Sequence, residues 1–173
     1  LAYIYAKDDA LKELALITRA DIYMKSGLVY EARADYIILL RDFPSSIHTN
    51  KVHLGLAESL FDIGLFQDAL EHYEQTDAQP EALFGIANAY QKLELLEEAK
   101  KAYDRAVLAD RTYLSRSPET CYLMVENMRM SGDLENAKSQ LTLLDFGPFQ
   151  DKANISLGLI AMEESDNQEA VIK

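Results

Sequence analysis

One spacing constrains this chain more than any other: a small residue is followed twelve positions later by alanine, and the pair recurs. It reads Ala20 and Ala32, Ala57 and Ala69, Ala87 and Ala99, Val125 and Ala137, Gly158 and Ala170, with Val replacing the small residue in the fourth pair. The second members lie about 34 residues apart on average, inside the range that marks stacked structural repeats. Helices that cross closely need small side chains at the contact. A unit this short cannot bury its apolar face alone, so such units stack in series, each touching only its neighbours. A chain of 173 residues has room for about five of them.

Between the paired positions lies a turn: Met24-Lys25-Ser26-Gly27, Phe61-Asp62-Ile63-Gly64, Gln91-Lys92-Leu93-Glu94, Met128-Arg129-Met130-Ser131-Gly132 and Met162-Glu163-Glu164-Ser165. Three of these end in Gly, which takes the left-handed conformation of a helix C-cap without a Cβ penalty. Glu94 and Ser165 depart from that rule, so their turns are expected to be less well capped. Only four prolines and seven glycines punctuate the chain, and the stretches between them are rich in Ala, Leu, Glu and Lys, all good helix formers. The expectation is an all-α chain. Ala99 follows Ala69 by only 30 residues, which requires the helix ending near Gln75 to be short.

This pattern resembles the tetratricopeptide repeat, a helix-turn-helix of about 34 residues carrying W-x2-L-G-x2-Y…A-x3-F…P. The family's aromatic after the small residue stands here as Tyr23, Leu60, Tyr90 and Met128, and its aromatic after the second alanine as Tyr36, Tyr73, Tyr103 and Leu141. Its proline is met as Pro44, with Pro80 and Pro148 one residue early. Its opening tryptophan is replaced throughout, by Leu16, His53, Leu83, Cys121 and Asn154. The aromatics are expected to fill the wedge between consecutive hairpins. The resemblance implies a right-handed superhelical solenoid of antiparallel helix-turn-helix repeats. Its hairpins are placed at 9–44, 49–80, 81–111, 118–148 and a truncated 151–173. Residues 1–7 read as the end of a preceding helix, so 1–173 is expected to be one solenoid cut from a longer chain.

In that family the first helices line a concave groove where ligand peptides lie. The resemblance therefore implies a groove bearing Ile17, Leu54, Phe84, Tyr122 and Ile155 as an apolar stripe. One residue beyond each small position stand Asp21, Glu58, Asn88, Glu126 and Leu159, followed by Met24, Phe61, Gln91, Arg129 and Met162. A ligand suited to this surface offers apolar anchors with Lys or Arg to meet Asp21, Glu58 and Glu126. The competing reading is that Ile17, Leu54 and Tyr122 pack between adjacent first helices and that the acids are solvated. The Lys and Asn clamp with which some relatives hold a C-terminal carboxylate is not matched, since only Asn88 is in place.

Charge and composition narrow the function further. Forty-nine per cent of residues are hydrophobic and 27% charged, a globular balance, and the net charge of −12 repels nucleic acid rather than neutralising phosphate. A single Cys121 excludes an internal disulfide and a thiolate zinc cluster, and its position in the repeat predicts a buried small hydrophobe. His48 and His53 are five apart, which does not align two imidazoles on one helix face. With His72 they are read as surface or packing residues. Adjacent acids such as Asp8-Asp9, Glu97-Glu98 and Glu163-Glu164 diverge by about 100° on a helix and do not converge on a reacting atom. No nucleophile motif or phosphate loop is present, so neither catalysis, nor a cofactor, nor a metal is expected. No apolar run approaches the ~20 residues of a membrane span.

The sequence thus predicts a non-catalytic scaffold that binds a protein or peptide partner in the groove. Self-association, or service as the regulatory domain of a larger protein, are the alternatives. Asp42-Phe43-Pro44-Ser45-Ser46 is similar to inter-hairpin loops of bacterial envelope repeat proteins, including outer-membrane assembly lipoproteins. That similarity inclines the expected location to the bacterial periplasm or cell envelope, with the cytoplasm as alternative.

Overall fold

The computed structural model describes residues 8–143 and 146–171, without the side chains of 143 and 166–171. Among these residues there are helices and no strand. In chain order they are α1 (Asp9–Lys25), α2 (Val29–Asp42), α3 (Thr49–Asp62), α4 (Phe66–Tyr73), α5 (Pro80–Lys92), α6 (Leu96–Ala109), α7 (Tyr113–Arg116), α8 (Pro118–Met130), α9 (Leu134–Leu143), a 3-10 turn (Gly147–Phe149) and α10 (Gln150–Val171). The chain divides into two compact units, Leu1–Ala89 and Tyr90–Lys173. The expectation for residues 1–7 lies outside the described residues.

The helices start and stop for local reasons. The Asp8 side chain caps α1 by accepting the Ala10 N–H at 3.0 Å. Proline opens α5 and α8, where its fixed φ suits the first turn and its missing N–H costs no intrahelical bond. Four turns close on the same pattern, in which one N–H reaches five residues back: Leu28 to the Tyr23 carbonyl, Leu65 to Leu60, Leu95 to Tyr90 and Asp133 to Met128, at 2.9–3.0 Å. This is the Schellman motif, with its central residue at positive φ. Gly27, Gly64 and Gly132 take φ of 72°, 82° and 82°, and Glu94 takes 59°. The Glu94 turn therefore keeps the full hydrogen-bond pattern and bears its departure from Gly as backbone strain instead. α4 has eight residues, as the short spacing required.

The fifth expected turn does not form. Met162-Glu163-Glu164-Ser165 lies inside α10, which continues unbroken from Gln150 to Val171, so the described part of 151–173 is a single helix and not a hairpin. Nothing in that stretch halts a helix: Ser165 stands where the other turns have a residue at positive φ, and no Gly or Pro follows. The buried face is also displaced. Ala153, Ser156 and Ile160 are buried, whereas Asn154 and Gly158 are exposed and the space around Gly158 is open. Ala170 lies among the side chains not described.

In the other hairpins the small positions behave as helix contacts must. Ala20, Ala32, Ala57, Ala69, Ala87, Ala99, Val125 and Ala137 are completely buried. Leu16, Ile17, Tyr36, Leu39, Val52, Leu56, Leu60 and Tyr73 form the core of the first unit around them. A second core in the other unit gathers Cys121, Val125, Leu141, Phe146, Ala153 and Ile160. The wedge-filling aromatics are as expected: Tyr36 lies on Gly55 and Tyr73 on Gly85, so closely that a Cβ on either glycine would collide with the ring.

Candidate functional site

In the first unit, α1, α3 and α5 carry the residues that the repeat pattern assigns to a ligand. Burial sorts them. Ile17 and Phe84 are 4% and 0% exposed and belong to the core, so they support the face without being open to a ligand. Leu54, Met24 and Phe61 are half-buried against that core, and Phe61 sets its edge on Phe66 at a centroid distance of 5.2 Å. Asp21 and Asn88 are half-buried and Glu58 is exposed.

The acids of this unit are crowded. Asp21 pairs with Lys51 at 2.6 Å and accepts a long hydrogen bond from the Tyr36 hydroxyl at 3.5 Å. Burial, then the charges of Asp21 and Glu58, push that hydroxyl above its ordinary range. Glu58 reaches water, yet the protein around it, followed by the like charges of Asp62, Glu81 and Asp21, pushes its carboxyl up to about 7. Lys51, Asp62 and Glu81 lie outside the repeat positions used to find the face. Asp62, four residues beyond Glu58 on α3, could have been found from helix spacing, whereas the approach of Glu81 on α5 exists only once the helices are packed.

In the second unit the corresponding residues are largely committed to the fold. Gln91 is buried and accepts from the Asn127 amide at 2.8 Å, while Asn127 also donates to the Leu96 carbonyl. Tyr122 stacks on Phe149 at 6.0 Å and meets Phe146 edge-on at 6.5 Å. Arg129, placed on the groove by the repeat pattern, is clamped between Glu126 at 3.1 Å and Glu163 at 2.8 Å, tying α8 to α10. Ile155 is 63% exposed on α10, in line with Leu159 and Met162, which are also exposed. A cavity of about 570 Å³ opens between α6, α8 and α9, floored by Tyr103, Met124 and Met128, with the Ser131 hydroxyl buried there without a partner.

Cys121 is buried, as its repeat position predicted, and burial pushes its thiol up to about 11, away from the reactive thiolate. Among the described residues no group of three or more His, Cys, Asp or Glu side chains is gathered to hold a metal ion. No helix there is long and apolar enough to cross a membrane.

Two family models, each described as tetratricopeptide repeat, match the chain, one over residues 17–82 and one over 80–113. No curated protein sequence matches it. Among solved structures, a crystal structure of MamA superposes with a TM-score of 0.65 at 22% identity, covering 88% of this chain and 88% of that one. The MamA RS-1 ArsTM double mutant gives 0.70 at 16% identity, covering 96% and 91%. YrrB, a TPR protein with an unusual peptide-binding site, gives 0.65 at 17% identity, covering 90% and 79%. At these identities the likeness is one of fold.

Proposed function

Since this chain belongs to the tetratricopeptide-repeat family, we propose that it is a protein-interaction scaffold without a catalytic centre, and that its ligand is a polypeptide segment bearing Lys or Arg beside apolar side chains. The segment lies along α1, α3 and α5, on Asp21, Met24, Leu54, Glu58, Phe61 and Asn88. The observation that carries this reading is Glu58, an accessible carboxyl whose ionisation is opposed first by the protein packed around it and then by the neighbouring Asp62, Glu81 and Asp21. A cation delivered there relieves the repulsion and restores the charge of Glu58, so part of the binding energy is stored in the free protein. The half-buried Leu54, Met24 and Phe61 supply the apolar floor that such an anchor needs. Peptide binding by a protein of the same fold, YrrB, supports the general role.

The test is a peptide array of apolar sequences with and without Lys or Arg, probed with wild type and with Asp21→Lys/Glu58→Lys. Retained peptides are then titrated calorimetrically at pH 7 in two buffers of different ionisation enthalpy. The expected result is selection of basic peptides, loss in the double variant, and a proton released on binding as Glu58 ionises. Equal retention by both proteins with buffer-independent heats overturns the assignment. Self-association is a second reading, favoured by the exposed line of Ile155, Leu159 and Met162 on α10. It requires a mass that rises with concentration in sedimentation equilibrium and falls to monomer in Met162→Lys.

A further inference from the structure

The second hairpin differs from its neighbours at one packing position. The family's tryptophan position holds Leu16, Leu83 and Cys121 in three other hairpins, and Leu16 and Cys121 are buried. In the second it holds His53, and the residue nineteen positions on, which is Ala102 in the third hairpin, is His72. The His53 place is thus apolar in those three hairpins, whereas the His72 place holds Asp35, Ala102 and Gln140 in them. The two imidazoles meet: His53 Nδ1 lies 3.0 Å from His72 Nδ1, with ring centroids 5.2 Å apart and planes tilted by 34°. Both rings are half-buried, between α3 and α4, and neither is sealed from water. The pair is nineteen residues apart and escapes any search for two histidines on one helix.

The separation is that of two ligands on one metal. Nitrogens about 2.0–2.1 Å from a common cation stand roughly 2.8–3.4 Å apart, between the right angle of a square and the tetrahedral angle. We propose that His53 and His72 form a two-histidine site for a late first-row divalent cation, Zn²⁺, Ni²⁺ or Cu²⁺, which clamps α3 to α4. Imidazole suits these ions and not Mg²⁺ or Ca²⁺. Each neutral ring carries one N–H; with that proton on Nε2 in both rings, both Nδ1 lone pairs face the cation, and no net proton is released. Asp68 stands four residues before His72 on α4, and with Glu71 it places negative charge near the site. Water completes the coordination.

The measurement is titration of the whole chain with Zn²⁺ and with Ni²⁺, by calorimetry and by the proton NMR signals of its histidine rings. Wild type and His48→Gln are expected to bind one equivalent, with Ni²⁺ broadening the rings of His53 and His72 before that of His48. His53→Gln, His72→Gln and the double variant His53→Leu/His72→Ala, which restores the third hairpin's Leu and Ala, are expected to lose affinity by more than the roughly 10–100-fold that removal of an outer-shell partner costs. Undiminished binding in the double variant assigns the metal to the acidic surface and overturns the proposal. So does uniform broadening of all three rings, or the absence of saturable binding in wild type, which leaves the pair as a plain hydrogen bond. The broadening pattern decides the matter in wild type alone should a variant fail to fold.

Discussion

Glu94→Gly should stabilise the protein. Glu94 sits at φ 59° in a Schellman turn whose other three copies use Gly at φ 72–82°. The left-handed conformation costs a side chain with a Cβ about 1–2 kcal/mol. Glycine removes that strain but returns about 0.5–1 kcal/mol through its larger freedom in the unfolded chain. The net gain is about 0.5–1 kcal/mol, worth roughly 2–4 °C in Tm per kcal/mol for a chain of this size. The hydrogen bonds from Leu95 to Tyr90 and from Glu94 to Gln91 are already made, so no new contact enters the difference. The assay is urea unfolding followed by circular dichroism, with Gly64→Ala as the mirror experiment, expected to destabilise because its φ of 82° is incompatible with a Cβ. If Glu94→Gly instead costs the ~1 kcal/mol of a glycine placed inside a helix, residues 91–94 continue as helix in solution and the reasoning fails.

Three further outcomes are expected. Gly55→Ala should destabilise by about 1–3 kcal/mol, because the added Cβ strikes the Tyr36 ring, and the loss should be partly recovered by Tyr36→Leu in a double-mutant cycle read by denaturant midpoint. Arg19→Ala should cost about 2–3 kcal/mol: it strands Asp35, 4% exposed, which now receives two guanidinium hydrogen bonds at 2.6 and 2.7 Å, and the figure sits below that of a fully buried pair because Arg19 is one-third exposed. Glu58 is raised in the folded state from 4.5 to about 7, so it favours folding while protonated; its contribution is complete below pH 4.5 and is lost as pH rises through about 7. Glu58→Gln should flatten that part of the stability–pH curve, and an unchanged curve would show that neither burial nor its acidic neighbours oppose its ionisation.

The period of small residues and alanines was enough, from sequence alone, to place the helices α1 to α6, α8 and α9, the shortness of α4, the burial of Tyr36, Tyr73 and Tyr103, and the inert setting of Cys121, because each follows from what two crossing helices require at fixed positions. The glycines marked three turns for the same reason. Glu94 shows where local rules stop: the turn forms without glycine, closed by the Leu95 to Tyr90 hydrogen bond at a φ of 59°. The stretch at Met162 shows the converse, since no stop signal is present and α10 runs on.

The candidate face was legible only as a set of positions. Whether a position is open or spent depends largely on partners far away in sequence: Phe84 and Gln91 vanish into the core, Arg129 is drawn from Glu126 on its own helix to Glu163, and Glu58 acquires its raised pKa from burial first, then from Asp62 on its own helix and from Glu81 and Asp21 on two others. His53 and His72 meet for the same reason. Periodicity within a helix reports which side of it is apolar, a local property. Charge proximity and the convergence of side chains depend on how helices are brought together, and only the tertiary structure decides that.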